Sequence, residues 1–124
     1  MNNSLYEIRW EPAVATLIMK LSGFWNDAVY TDFSYELTRV TEGIPGRYSV
    51  LLDIGGSLVQ SAETIAGHEQ LLAKHRANVE RMAIIGSGAI TRMQAKRATN
   101  VVETCFFPNE ADARSWIKES REGA

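Results

Sequence analysis

Short apolar runs alternate with helix-period segments along this chain. "VATLIMKL" (14–21), "YSVLLDI" (48–54), "RMAIIG" (81–86) and "VVETCFF" (101–107) each read as a strand. Between them lie stretches whose apolar residues recur every three or four positions. Strands separated by helices cannot pair through tight turns, so they imply a mainly parallel sheet with right-handed crossovers. The exception is the start. "LYEIRW" (5–10) alternates apolar and polar residues, and only "EPA" separates it from the next run. That spacing predicts an antiparallel N-terminal hairpin. The expected fold is α/β, a hairpin followed by alternating helices and strands, with five strands and four helices in a single domain over 1–124.

The helices have local signatures. Trp25, Val29, Phe33, Leu37 and Val40 form one stripe of a helix that Asn26 or Asp27 starts and Gly43 ends. "SAETIAGHEQLLAKHRAN" (61–78) is the second, with Ser61 as N-cap and Glu63 favouring its positive end. "AITRMQAKRATN" (89–100) is a third, rich in basic residues. "NEADARSWIKES" (109–120) closes the chain, capped by Asn109, with Ala113, Trp116 and Ile117 facing inward.

Charge and cysteine usage narrow the function classes. With 124 residues and a formal charge of −2, the chain lacks the basic excess of a nucleic-acid binder. One cysteine, Cys105, in an apolar strand permits no internal disulfide and reads as a small buried hydrophobe. No signal-peptide pattern opens the sequence and no apolar run is long enough to span a bilayer, so the expected location is cytoplasmic.

The polar constellations are weak. His68 and His75 lie seven apart in "HEQLLAKH", two helical turns or roughly 10 Å, too far for one tetrahedral metal. They read as solvated or partly packed, and no metal or cofactor is expected. "IIGSGAIT" (84–91) lacks the third glycine of a dinucleotide fingerprint. It leaves a glycine turn around Ser87 that offers backbone N–H groups beside Arg92. Lys74, Arg76, Arg81, Arg92, Lys96 and Arg97 read as a solvated helix face, or as a patch for acidic partners or lipid headgroups. Phe24 and Tyr30 do not belong to the Trp25 stripe, which makes them core edge or an exposed apolar patch. In "LLDIGGS", Asp53 ends a strand without an evident partner. Gly55 and Gly56 read as letting the chain leave the strand through unusual dihedrals, with Ser57 in the loop. No nucleophile–base pair or acid pair stands out, so an enzyme is not expected.

The order hairpin, aromatic helix, "YSVLLDI", helix, "RMAIIG", helix, "VETCFF" and "NEADARSWI" resembles the SpoIIAA-like branch of the STAS superfamily, relatives of the anti-sigma factor antagonists. The resemblance covers about residues 5–118. Those antagonists carry Asp-Ser-Ser-Gly at the start of the helix after the third strand, and the second serine is phosphorylated. Counted from the strand end, that motif falls on "SAET". Ser61 stands for the aspartate, Ala62 for the first serine, Glu63 for the phosphoserine and Thr64 for the glycine. The resemblance therefore implies a non-enzymatic regulatory or protein-binding module without the phosphoacceptor. The branch is also similar to the lipid-binding Sec14-type fold, which implies an alternative: a carrier or sensor of an apolar ligand, a lipid or fatty acid, with transient membrane contact.

Candidate binding residues on either reading are Phe24, Trp25, Tyr30, Ser57, Ser61, Glu63, Ser87 and Arg92. The partner classes left open are a protein, a small apolar ligand, a peripheral membrane surface and a second copy of the chain. A fully packed core would favour the protein-binding reading, and an apolar cavity lined by the aromatics the carrier.

Overall fold

The computed structural model describes residues 5–86 and 88–122. Strand β1 (Tyr6–Glu11) and strand β2 (Thr16–Gly23) form the antiparallel hairpin, joined by a 3-10 turn at Pro12–Val14. Helix α1 (Asp27–Glu42), strand β3 (Tyr48–Ser57), helix α2 (Ala62–His75), strand β4 (Val79–Ile85), helix α3 (Ala89–Ala98), strand β5 (Thr104–Phe107) and helix α4 (Glu110–Glu122) follow. The sheet order is β1-β2-β3-β4-β5, and every pair after the hairpin is parallel. The expected α/β architecture, five strands and four helices, is the one observed.

Sequential strand order decides where the helices go. Each crossover steps the same way along the sheet, so one hand of crossover puts α1, α2 and α3 on one face. There Trp25, Phe33, Leu37 and Leu71 pack against Leu17, Met19, Val50, Leu52, Met82 and Ile84. The other face carries α4 alone, with Ala113 and Ile117 on Ile18, Leu51 and Ala83. Strand alternation sends Val50 and Leu52 to one core and Leu51 to the other, which is why "YSVLLDI" is apolar at nearly every position. Arg114 of α4 reaches back to Glu11 of β1 at 2.9 Å and pins the helix across the sheet.

Several local expectations need correction. The third strand does not stop at Ile54 but runs to Ser57, still paired with β2 through Gly23. Gly55 and Gly56 have no positive φ; among the described glycines only Gly23 does, at +73°. Lys20 pairs with Asp53 and Ser22 with Gly56, so β3 bulges by one residue here. A Cβ on Gly56 would lie 3.0 Å from the Ser22 Cβ. The glycine pair thus serves a bulge and a close approach, not a strand exit. Ser57 is consequently a strand residue whose hydroxyl donates to Leu21 O at 3.0 Å.

The second helix ends at His75, and a 3-10 turn covers Arg76–Asn78. The third helix ends at Ala98, two residues before its expected end. The last strand keeps only Thr104–Phe107 of 101–107, because Thr99 to Glu103 turn the chain back to β4. As an edge strand, β5 leaves Cys105 half-buried instead of enclosed. The caps formed as read. Asn26 Oδ1 accepts from Val29 N, Ser61 Oγ from Thr64 N, and Asn109 Oδ1 from Asp112 N. Among the described residues, no helix is long and apolar enough to cross a membrane.

Candidate functional site

Between the sheet and the three helices the core is not filled. A partly open cavity of about 120 Å³ lies there. Its floor is Leu17 and Met19 of β2, Val50 and Leu52 of β3 and Met82 of β4. Trp25, Phe33 and Leu37 close one side, His68, Leu71 and His75 of α2 form the roof, and Thr91, Gln94, Ala95 and Ala98 of α3 close the far side. The α3 residues are small or polar where a core helix would normally present large apolar groups. Positions 91, 94, 95 and 98 share one face, and all four line the cavity.

Five rings build and back one wall. Trp25 is buried beneath Tyr6 and Phe33, with edge-to-face centroid distances of 6.1 and 5.0 Å. Its indole N–H donates to Ser22 O at 3.0 Å. The His68 imidazole lies 5.2 Å from the Trp25 ring, 5.6 Å from Tyr30 and 5.8 Å from Phe33. Burial lowers its pKa from 6.5 to about 4, so the ring is neutral near neutral pH. Tyr30 donates its hydroxyl to Gly67 O at 2.8 Å and holds α1 against α2. A Cβ on Gly67 would come within 2.8 Å of Tyr30 Cζ, so the glycine beside His68 is required by this ring.

Polar groups close the end of the cavity at the carboxyl ends of the strands. Gln60 accepts from Trp25 N at 2.9 Å and donates to Gly23 O and Leu58 O at 2.8 and 2.7 Å. Its backbone is held by Gln94 of α3. At the other end His75 Nδ1 is 2.9 Å from Leu71 O, and its Nε2 is 3.4 Å from Thr41 Oγ1. The two histidines share the roof as the sevenfold spacing implies; His75 is hydrogen-bonded, and His68 packs among rings.

The structure gathers only part of the sequence-derived set. Trp25 and Ser57 line the cavity, while Tyr30 stands behind its wall. Phe24 points away from it, 54% exposed. Ser61 is a helix cap, its hydroxyl also donating to Thr64 Oγ1, and Glu63 is exposed on the first turn of α2. Ser87 lies outside the described residues. Arg92 does not turn to the glycine loop; its guanidinium sits 4.8 Å over the Phe106 ring. Asp53 Oδ1 accepts from Gly55 N at 2.9 Å and serves the bulge.

The basic residues do not form one patch. Arg81 projects to the α4 face, where it covers Trp116 at 4.0 Å and pairs with Glu103 at 2.7 Å. Arg92, Lys96 and Arg97 remain together on α3, a helix without an acid. Sequence reasoning missed His68, Gln60 and Gln94 as wall and closure residues. Only His68 had a signal, a glycine before it that admits the Tyr30 ring.

No protein-family model and no curated protein matches the sequence. A solved structure from Shewanella loihica does match, at 26% identity and TM-score 0.72. The alignment covers 94% of this chain and 98% of the other. That protein is described as an uncharacterized member of the DUF3478 family with a SpoIIAA-like fold. The match supports the SpoIIAA/STAS-like relationship indicated by the order of elements, and the chain has a SpoIIAA-like fold.

Proposed function

We propose that this protein is a non-enzymatic binding module whose ligand is a small apolar molecule held between the sheet and helices α1–α3. The observation that carries this reading is the cavity of about 120 Å³, lined by Leu, Val, Met, Trp and Phe side chains. An engineered apolar cavity of about 150 Å³ stays dry and takes up benzene. A volume of this size accommodates a molecule of similar bulk, or one end of a longer chain that leaves toward solvent. The polar atoms at the rim are engaged with each other, which favours binding over catalysis. Native mass spectrometry of the purified protein, with an organic extract of the same sample, tests it. A reproducible added mass that extracts as an apolar compound is the expected result. A clean apo mass, together with Trp fluorescence unmoved by a panel of small apolar compounds, would overturn it.

A second observation favours contact with an anionic lipid surface. Phe24 and Leu58 follow the paired residues Gly23 and Ser57, so they stand side by side at the carboxyl end of the sheet. Both are exposed, as are Val59, Ile90 and Met93 on the adjoining loop and helix. Arg92, Lys96 and Arg97 flank them on α3. Exposed apolar residues beside cations on a helix without an acid suit an anionic interface, at about 1 kcal/mol per cation. Cosedimentation with vesicles of phosphatidylcholine and phosphatidylglycerol, against phosphatidylcholine alone, tests this. Equal binding to both would reject the anionic preference, and binding to neither would reject the lipid surface.

A further inference from the structure

We propose that His68 is the polar anchor of the cavity, and that its ligand is a small neutral apolar molecule carrying one hydrogen-bonding group, of the phenol or short-alcohol class. The inference rests on the cavity being a ligand site, and it specifies the chemistry of that ligand.

Most polar groups of the wall are already used. Ser57 Oγ donates to Leu21 O, Thr91 Oγ1 to Gly88 O and Thr99 Oγ1 to Ala95 O. Gln60 and Gln94 are engaged with one another and with the backbone. His75 is held between Leu71 O and Thr41. Among the described residues, His68 and Tyr48 are the lining side chains with polar atoms and no hydrogen bond. Tyr48 stands at the amino end of β3, packed edge-on against Trp10. His68 lies midway along α2, and its ring contacts are aromatic: Trp25, Tyr30 and Phe33.

A ligand hydroxyl can pair with a ring nitrogen that has no hydrogen bond among the described residues, which adds a directional contact to the apolar ones. The three rings also fix its position, so little ordering is needed when a ligand arrives. Burial keeps the imidazole neutral, with one N–H donor and one acceptor nitrogen. A hydroxyl complements either nitrogen. A carboxylate would bring an unneutralised charge into an apolar wall. The rest of the lining supplies contact area without direction, so selectivity among molecules that fit falls to this one side chain.

The test compares toluene with phenol, which differ by one hydrogen-bonding group at similar bulk. Binding is followed by calorimetry and Trp fluorescence in the intact chain, His68→Leu and His68→Gln. Both compounds are expected to bind the natural protein. The phenol-to-toluene affinity ratio should fall about fivefold in His68→Leu, as a lost hydrogen bond predicts. Toluene binding should persist there, and His68→Gln should recover part of the ratio. In the natural protein, phenol but not toluene should shift the His68 ring nitrogen resonances, which does not depend on any variant folding. An unchanged ratio, or nitrogen resonances that phenol leaves in place, overturns the anchor while the cavity reading stands. Failure of both compounds to bind the natural protein overturns the cavity reading and this inference together.

Discussion

Gln60 and Gln94 clasp each other across the end of the cavity. The Gln60 backbone N–H donates to Gln94 Oε1, and Gln94 Nε2 donates to Gln60 O, each at 2.9 Å. This joins the loop after β3 to α3, while the Gln60 side chain joins the same loop to Gly23 and Trp25. Gln94→Ala should cost about 1 kcal/mol and speed amide exchange at residues 58–60. Gln60→Ala, which removes three side-chain bonds, should cost about 2 kcal/mol or more. Urea unfolding with hydrogen exchange checks both. Equal, negligible effects would mean that the clasp does not hold the loop.

Trp25 and Phe24 are neighbours with opposite roles. Trp25 is 2% exposed at the centre of the ring cluster. Trp25→Ala should lose about 3–5 kcal/mol. Phe24→Ala should change stability by less than about 0.5 kcal/mol. Denaturant midpoints of the two variants distinguish them, and the reverse order would contradict the placement of both rings.

His68 makes stability depend on pH. Its pKa falls from 6.5 to about 4 on folding because burial disfavours the charged ring. The unfolded chain therefore binds the proton first. The stabilisation is complete above about pH 6.5 and is lost as pH falls toward 4, by an amount on the order of 2–3 kcal/mol. His68→Leu should remove that portion of the slope. Urea midpoints at pH 7 and 4.5 measure it; parallel slopes in the two proteins would show that His68 is not the titrating group.

Ser49 is fully buried on the α4 face, and among the described residues its hydroxyl has no hydrogen bond. The usual cost of deleting a polar group is therefore missing. Ser49→Ala should be neutral or stabilising by up to about 1 kcal/mol, read from the thermal midpoint. A loss above about 1 kcal/mol would reveal a partner for this hydroxyl.

The alternation of strands and helices was legible because it is written locally. The stripe through Trp25, Phe33 and Leu37 buried as its period requires, and Asn26, Ser61 and Asn109 capped as their side chains allow. Gly55 and Gly56 misled because local chemistry says turn, whereas pairing with Ser22 and Gly23 of β2 keeps the segment extended. His68 read as a solvated or partly packed polar residue because α2 is polar around it. Its cage is made by residues more than thirty positions away. The cavity had no sequence signal. The void lies between the sheet and the faces of three helices, and its size depends on the spacing of packed elements.

The order β1-β2-β3-β4-β5 also has a consequence for how the chain comes together. Every pairing joins consecutive strands, so no loop longer than one crossover must close before the next contact can form. Low sequence separation of contacts favours rapid folding. During synthesis the sheet can extend one strand at a time as each segment emerges. The exception is the face of Ile18, Leu51 and Ala83, which waits for Ala113 and Ile117 at the end of the chain. Until those residues emerge, the nascent protein carries one finished side and one bare one, and it is on the bare side that a chaperone would find it.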